Sequence, residues 1–190
     1  VMGNLNIGLV SGPMFAGKTT RLIADVKRSI REEKHHLILA PIFDSRVVLG
    51  ETKNHNGVTL TGIVQVKNDN DVVEAVSSLA NRIPADYYGG VNIFVDECQF
   101  FTGDIYDGNF LVALQQSIGA FIENDVNLVF YGLDLDVRCQ PWPATEAIRC
   151  QASWTEGLQA TCHVCGSKAC YTARIDGSSE TVEVGGSDKY

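Results

Sequence analysis

One octapeptide near the amino terminus has the residue types and spacing of a phosphate-binding loop. Its sequence, Gly12-Pro13-Met14-Phe15-Ala16-Gly17-Lys18-Thr19, fits the pattern G-x-x-x-x-G-K-[ST] in full. The two glycines let the backbone curl so that its N–H groups point at phosphate oxygens, and a helix beginning near Lys18 adds the positive end of its dipole. The Lys18 ammonium can then reach the β- and γ-phosphates, while the Thr19 hydroxyl can bind Mg²⁺. The loop alone predicts a triphosphate-binding protein.

A pair of carboxylates, Asp96 and Glu97, follows a second apolar segment over residues 91–95. A carboxylate at the end of a buried strand can hold the metal opposite Thr19, and we assign this role to Asp96. Glu97 can act as the base that takes a proton from an attacking hydroxyl. An ATPase would use the same carboxylate to orient water, so the pair leaves kinase and hydrolase both open.

The order of the predicted elements indicates a scaffold that brings these groups together. Short apolar runs predict strands over residues 5–11, 36–42, 91–95 and 126–131, and a β-type alternation runs over residues 58–66. Helical spacing is seen over residues 19–33, 110–123 and 144–150, and Asp69 is predicted to cap a further helix. Buried strands that alternate with amphipathic helices predict an α/β fold, a parallel sheet with helices on both faces.

Length favours one main core with a small appended module. Among the 190 residues, we expect residues 1–150 to form a nucleotide-binding α/β domain. After Pro143 the pattern changes to glycine-punctuated short strands, so residues 151–190 are predicted to form a small β-rich part.

Charge and hydropathy exclude several classes of partner. Fifteen Lys and Arg against 23 Asp and Glu give a net charge of −8, whereas proteins that bind a nucleic-acid duplex usually display a basic stripe. Nucleic acid is therefore not an expected partner. No apolar run is long enough to span a bilayer, and residues 1–8 lack the pattern of an export signal. A cytoplasmic protein without a membrane partner is expected.

Two of the six cysteines, Cys162 and Cys165, have the spacing of metal ligands. Because a closed structural zinc site needs four ligands, this pair supplies half of one. Three interpretations stay open: the sequence continues beyond Tyr190 with further ligands, a group such as His163 or Cys170 completes the set, or zinc is absent. The remaining thiols are interpreted as small buried or semi-exposed residues, namely Cys98, Cys139, Cys150 and Cys170.

Taken together, these motifs resemble those of the zinc-containing, RecA-like (type II) thymidine kinases. The resemblance runs over residues 8–190 and depends on the order and spacing of several segments. These segments are Gly12 to Thr19, Asp44-Ser45-Arg46, Asp96-Glu97-Cys98-Gln99-Phe100-Phe101, Gly132-Leu133-Asp134, Cys162-x-x-Cys165 and Gly185-Gly186-Ser187-Asp188-Lys189-Tyr190.

The resemblance implies transfer of the ATP γ-phosphate to the 5′-hydroxyl of thymidine, giving thymidine monophosphate for nucleotide salvage. Glu97 is then the general base, with Lys18 and Arg46 as catalytic cations beside the reacting groups. Asp44 and Gln99 join the residues around the phosphates by the same resemblance. A surface ion pair after a strand is the alternative interpretation of Asp44 and Arg46.

The resemblance also implies a thymine pocket, closed by a loop over residues 184–190. An apolar and aromatic pocket can accommodate the 5-methyl group and stack on the ring. Trp142 occupies a position where the family more often has phenylalanine. The residues implied to contact thymidine are Met14, Phe100, Leu133, Trp142, Thr172, Gly185 and Tyr190.

Three further properties are implied by the family alone. They are a structural zinc ion held in part by Cys162 and Cys165, a homotetramer, and feedback inhibition by thymidine triphosphate. The second pair of zinc ligands is expected after Tyr190. Two other functions compete with the kinase: a RecA-like ATPase that handles DNA, and a nucleotide-binding regulator whose zinc ribbon binds a partner.

Overall fold

Ten strands and four helices follow one another along the part of the chain described by the computed structural model, residues 3–42, 51–54, 56–121, 123–178, 180 and 190. The helices are α1 (Lys18–Arg31), α2 (Asp69–Ala80), α3 (Phe110–Ile118) and α4 (Pro143–Gln151). The strands are β1 (Leu5–Ser11), β2 (His35–Pro41), β3 (Thr52–Lys53), β4 (Thr59–Leu60), β5 (Ile63–Val66), β6 (Val91–Val95), β7 (Val126–Gly132), β8 (Trp154–Gly157), β9 (Ala160–Thr161) and β10 (Lys168–Ala169).

Six of these strands form one sheet in the order β5-β2-β6-β7-β1-β8, and every neighbouring pair is parallel. The strands β3 with β4, and β9 with β10, form two small antiparallel ribbons. In a parallel sheet the carboxyl ends of all strands meet at one edge, where ligands of α/β proteins bind. The loops after β1, β6 and β7 therefore share that edge.

Helices cover both faces of the sheet, as the sequence predicts. On one face, α1 packs Leu22, Ile23 and Val26 against residues such as Phe94 and Tyr131. On the other face, α2, α3 and α4 cover a second cluster that includes Leu9, Ile93 and Leu128. Because alternate residues of a strand point to opposite faces, burial on both sides explains the continuous apolar runs in the sequence.

Several local boundaries differ from the predictions, and three of the differences have a clear structural reason. The cap of α2 is Asn68, whose side chain accepts the Asp71 N–H at 3.0 Å, and Asp69 is the first helical residue. The α3 helix ends at Ile118 and continues as a 3₁₀ turn, Gly119–Phe121. The segment 58–66 is divided into β4 and β5 at Gly62, whose φ of 80° turns the chain in a way that a continuous strand does not allow.

The last strand of the sheet lies beyond residue 150, where the sequence analysis placed a domain boundary. β8 pairs with β1 in register Gly8 to Trp154. A Cβ atom at Gly8 would lie 2.1 Å from the Trp154 ring, so glycine leaves the space that the indole fills. The sheet therefore extends to residue 157, and the β9–β10 hairpin follows it.

None of the four helices in the described part of the chain combines the length and the apolar character needed to cross a membrane.

Candidate active site

The phosphate-binding loop connects β1 to α1, as its pattern predicts. Gly17 caps the helix with a left-handed φ of 87°, and Phe15 is also left-handed at 63°. No side chain in the described residues caps α1, and its first turn carries no acidic residue. The amide groups at the start of α1 can therefore receive an anion, which the helix dipole stabilises.

Lys18 lies folded over its own loop. Its Nζ atom donates to the carbonyl oxygens of Gly12 at 3.2 Å and Pro13 at 2.6 Å. Hydrogen bonds between an ammonium group and a phosphate are stronger than those to neutral carbonyls. Phosphate oxygens at this position would therefore compete favourably with the two carbonyls for the Lys18 ammonium.

Asp96 stands at the end of β6, where its side chain is almost fully buried at 5% exposure. Its backbone N–H donates to the Leu39 carbonyl of β2 at 2.8 Å, which continues the hydrogen bonds between β6 and β2. Its Oδ1 accepts the Glu97 N–H at 2.9 Å. Thr19 lies in the first turn of α1 at the same edge of the sheet. Carboxylate and hydroxyl oxygens are the donors that Mg²⁺ prefers, so these two residues have the chemistry that the predicted metal site requires.

Glu97 adopts a left-handed backbone conformation, with φ of 51°, that is uncommon outside glycine and asparagine. Its Oε2 accepts a hydrogen bond from Gln99 Nε2 at 2.5 Å. The fully buried Gln99 also accepts the Leu133 N–H at 3.0 Å through its Oε1 atom. Gln99 therefore connects the predicted base to the end of β7, with both ends of its amide bound to protein groups.

An aromatic pair lies next to these carboxylates. Phe100 and Trp142 are both buried and meet edge to face, with ring centroids 5.7 Å apart. The backbone N–H of Trp142 donates to the Asp134 carbonyl at 3.1 Å. The indole Nε1 of the same residue is buried without a partner in the described residues. The pair forms one apolar wall beside Leu133.

Two close contacts hold this wall in place. Thr145, fully buried in α4, donates to the Leu133 carbonyl at 2.7 Å. A Cβ atom at Gly132 would lie 2.5 Å from Cys98 Sγ and 2.7 Å from Gln99 Oε1. Only glycine therefore lets β7 end against the 3₁₀ turn Cys98–Phe100. Burial raises the pKa of the Cys98 thiol, which stays protonated and acts as a packing group.

Some of the remaining predicted site residues lie in the described part of the chain, and others do not. Thr172 contacts the phosphate loop, since its Oγ1 accepts the Met14 N–H at 2.9 Å. Tyr190 lies under the guanidinium of Arg174, whose Cζ is 5.4 Å from the ring centroid. Three predicted site residues, Asp44, Arg46 and Gly185, lie outside the described residues, as does most of the segment 184–190.

Cys162 and Cys165 lie on the turn between β9 and β10. The Cys162 N–H donates to the Ser167 carbonyl at 2.8 Å, and the Gly166 N–H returns to the Cys162 carbonyl at 2.9 Å. Hydrogen bonds from the backbone and side chain of Ser167 lower the pKa of the Cys165 thiol, which favours the thiolate that metals bind. Within the described ranges no cluster of three His, Cys, Asp or Glu residues could hold a metal, so the interpretation that His163 or Cys170 completes a site with this pair is not supported.

A buried polar network behind the loop was missed by the sequence analysis. Asp25, in α1, accepts from Arg21 Nε at 3.0 Å and from the Tyr131 hydroxyl at 2.7 Å. Arg21 Nη1 also binds Glu156 of β8 at 2.5 Å. The available signal was an aspartate on the apolar face of α1, between Leu22 and Val26. The network connects the helix of the phosphate loop to β7 and β8.

Comparison with known proteins gives consistent matches. The chain matches the family model described as thymidine kinase over residues 5–190. It is similar to a thymidine kinase of Pyrobaculum aerophilum, with 31% identity over 188 residues that cover 96% of this chain and 92% of the relative. A thymidine kinase of Thermococcus kodakarensis is 29% identical over 188 residues, covering 96% and 88% respectively. One of Deinococcus radiodurans is 31% identical over 172 residues, covering 90% and 76%.

Proposed function

We propose, on the premise that this chain belongs to the thymidine kinase family, that it transfers the γ-phosphoryl group of ATP to the 5′-hydroxyl of thymidine. The product is thymidine monophosphate, a precursor for DNA synthesis. The observation that carries the proposal is the common sheet edge of the phosphate loop and the Asp96–Glu97 pair, with the Phe100–Trp142 wall next to them.

In the proposed reaction Glu97 accepts the proton of the 5′-hydroxyl while the oxygen attacks the γ-phosphorus. The bond between that phosphorus and the β,γ-bridging oxygen breaks, and ADP leaves. Lys18 and the start of α1 neutralise the charge that develops on the phosphates. Bound Mg²⁺ adds charge neutralisation at the β- and γ-phosphates, and Thr19 with Asp96 would hold it. The 2.5 Å hydrogen bond from Gln99 orients the base.

Other members of the site are proposed from the family pattern. Arg46 would act as a second cation beside the γ-phosphate, and Asp44 would lie near the metal. The nucleoside would be contacted by Met14, Phe100, Leu133, Trp142, Thr172, Gly185 and Tyr190. Phe100 ends the 3₁₀ turn that begins directly after Glu97, and this position beside the proposed base supports its assignment to the nucleoside pocket.

For the residues after β8 we propose a small zinc-binding part, with Cys162 and Cys165 as two of the zinc ligands. The turn geometry and the lowered pKa of the Cys165 thiol support this role for the pair. A cytoplasmic homotetramer inhibited by thymidine triphosphate is proposed from the family alone. Light scattering of the purified protein, and assays with added thymidine triphosphate, test these two properties.

The deciding experiment is an assay of the purified protein with Mg²⁺, ATP and one nucleoside at a time. Thymidine should be converted to its 5′-monophosphate, and deoxyuridine and deoxycytidine are assayed separately as alternative acceptors. The variant Glu97→Gln should lose most of the rate because its amide cannot accept the proton. ATP consumption without a phosphorylated nucleoside would contradict the proposal and favour an ATPase.

A further inference from the structure

The phosphate loop is held from outside by three residues of the C-terminal part, here called the clasp: Leu158, His163 and Thr172. The Leu158 N–H donates to the Ser11 carbonyl at 2.7 Å. Its own carbonyl lies so near Gly12 that a Cβ atom there would approach within 2.6 Å. The clasp therefore begins where β1 becomes the loop.

The other two contacts reach the middle of the loop. The His163 ring meets the Phe15 ring edge to face, with centroids 5.7 Å apart. The Thr172 hydroxyl accepts the Met14 N–H at 2.9 Å. Because His163 stands between Cys162 and Cys165, the turn that carries these thiols rests directly on the loop.

All three contacts fall on residues 11–15, which comprise the last residue of β1 and the first half of the loop. Phe15 has a left-handed backbone that a side chain disfavours, so its conformation depends on the surrounding contacts. The second half, from Ala16 to Thr19, leads into α1 and offers its amides to an anion. Because the first half of the loop is already held in place, nucleotide binding loses less free energy to the ordering of the loop.

We propose that Thr172 is a positioning residue for ATP, and that its hydroxyl keeps the loop in the phosphate-binding conformation by holding the Met14 N–H. Leu158 and His163 support the same half of the loop. This inference rests on the proposed role of the loop as the ATP site. It adds that the C-terminal part contributes to nucleotide affinity even when no nucleoside is bound.

The test compares Thr172→Val with Thr172→Ser in the full chain. Valine has nearly the shape of threonine but cannot accept the Met14 N–H, whereas serine can. The affinity for the fluorescent nucleotide mant-ATP is measured with Mg²⁺ and without thymidine. We expect the valine variant to bind roughly fivefold to tenfold more weakly, the usual effect of a lost hydrogen bond, and the serine variant to stay within about twofold of wild type.

Steady-state kinetics separate positioning from a general loss of structure. The valine variant should raise KM for ATP more than it lowers kcat, and circular dichroism should show the same fold. If it does not fold, His163→Ala is compared with His163→Phe, and only the alanine variant should weaken mant-ATP binding. Equal mant-ATP affinity in wild type and in Thr172→Val, or in the two His163 variants, overturns the inference.

The mant-ATP affinity is measured without a nucleoside, so its result does not depend on which phosphoryl acceptor the protein uses. A protein that makes no thymidine monophosphate but binds mant-ATP more weakly in the valine variant would refute the proposed reaction and retain the clasp. A wild type that does not bind mant-ATP would refute both.

Discussion

Glu97, the proposed base, is held in place by a neighbour for which no part in the proton transfer is proposed. Its backbone is left-handed, and its carboxylate is held by Gln99, which also binds the Leu133 N–H. One buried amide thus fixes the predicted base and the end of β7. Residue type and position predicted Glu97, whereas the role of Gln99 depends on Leu133, which lies 34 positions away.

We predict that Gln99→Met lowers kcat by about tenfold to a hundredfold, because the carboxylate loses its orientation while side-chain volume is kept. The free energy of unfolding should fall by about 1–3 kcal/mol, since the buried Leu133 N–H loses its acceptor. Product formation and urea denaturation measure the two effects. A variant with wild-type kcat would show that Gln99 does not orient the base.

Trp142 carries a buried indole N–H without a partner in the described residues. We predict that Trp142→Phe changes the free energy of unfolding by less than about 1 kcal/mol, because losing an unsatisfied donor offsets the smaller ring. Trp142→Ala should cost about 3–5 kcal/mol through the cavity next to Phe100. Urea denaturation compares the two variants. If Trp142→Phe lowers the free energy of unfolding as much as Trp142→Ala does, the indole N–H has an acceptor in solution.

At the scale of elements, the strands with continuous apolar residues were predicted well. The observed bounds of β1 and β6 match the predictions, and β7 is longer by one residue. Short strands were predicted after residue 150, but the pairing of β8 with β1 was missed, because β8 is four residues long and half-exposed at Trp154 and Glu156. Its place in the sheet depends on Gly8, whose missing side chain makes room for the Trp154 ring. Such a pairing over long sequence separation leaves no local pattern.

The contact between β1 and β8 can be tested with a double-mutant cycle. Gly8→Ala should destabilise the protein by about 1–3 kcal/mol, because its Cβ atom enters the space of the indole ring. In a Trp154→Leu background the same substitution should cost clearly less, which gives a coupling energy of at least about 0.5 kcal/mol. Chemical denaturation of the four proteins provides the values. If the destabilisations by the two single substitutions simply add, the Trp154 ring does not lie against residue 8 in solution.

The connection of α1 to β7 depends on the Tyr131 hydroxyl and Asp25. Burial first, and then the neighbouring Asp25 carboxylate, raise the pKa of Tyr131. The neutral phenol is therefore favoured in the folded state. Its contribution to stability is complete below the ordinary tyrosine pKa of about 10 and is lost as the pH rises above it.

We predict that Tyr131→Phe lowers the free energy of unfolding at neutral pH by about 1–2 kcal/mol, because Asp25 loses a hydrogen bond. Above about pH 10 the difference from wild type should shrink, since only the wild type must hold this phenol neutral in the folded state. Urea denaturation between pH 7 and pH 11 follows both proteins. A difference that stays constant over this range would contradict the raised pKa.

At the scale of the whole molecule, the alternation of strands and helices was sufficient to predict the sheet and its two covered faces. The resemblance implied that Met14 and Thr172 lie in one pocket. The hydrogen bond between them, and the contacts of Leu158 and His163 with the loop, were not predictable, because they are single contacts between distant residues. The Met14–Thr172 hydrogen bond spans 158 positions. The resemblance implied a loop over residues 184–190 that closes over a nucleoside. Among the described residues of the C-terminal part, Leu158, His163 and Thr172 contact the phosphate loop.

This arrangement changes the expected effect of losing the cysteine pair. If the C-terminal part supported only the nucleoside pocket, Cys162→Ser would raise the thymidine KM before it weakened ATP binding. Because His163 stands between the two thiols and packs on Phe15, we predict that Cys162→Ser with Cys165→Ser weakens mant-ATP binding and raises the thymidine KM together. Elemental analysis should show about one zinc per chain in the wild type and none in the double variant, as for a structural site that loses half its ligands.

The matched control is Cys150→Ser, which changes an exposed thiol at the end of α4. It should leave zinc content, mant-ATP affinity and thymidine KM at wild-type values. If the double variant loses zinc and only the thymidine KM rises, the turn supports the nucleoside pocket alone and His163 does not transmit its state to the loop. If both constants change while Cys150→Ser has no effect, the metal-binding turn and the phosphate loop behave as one structural unit, and zinc loss impairs both substrates of the kinase.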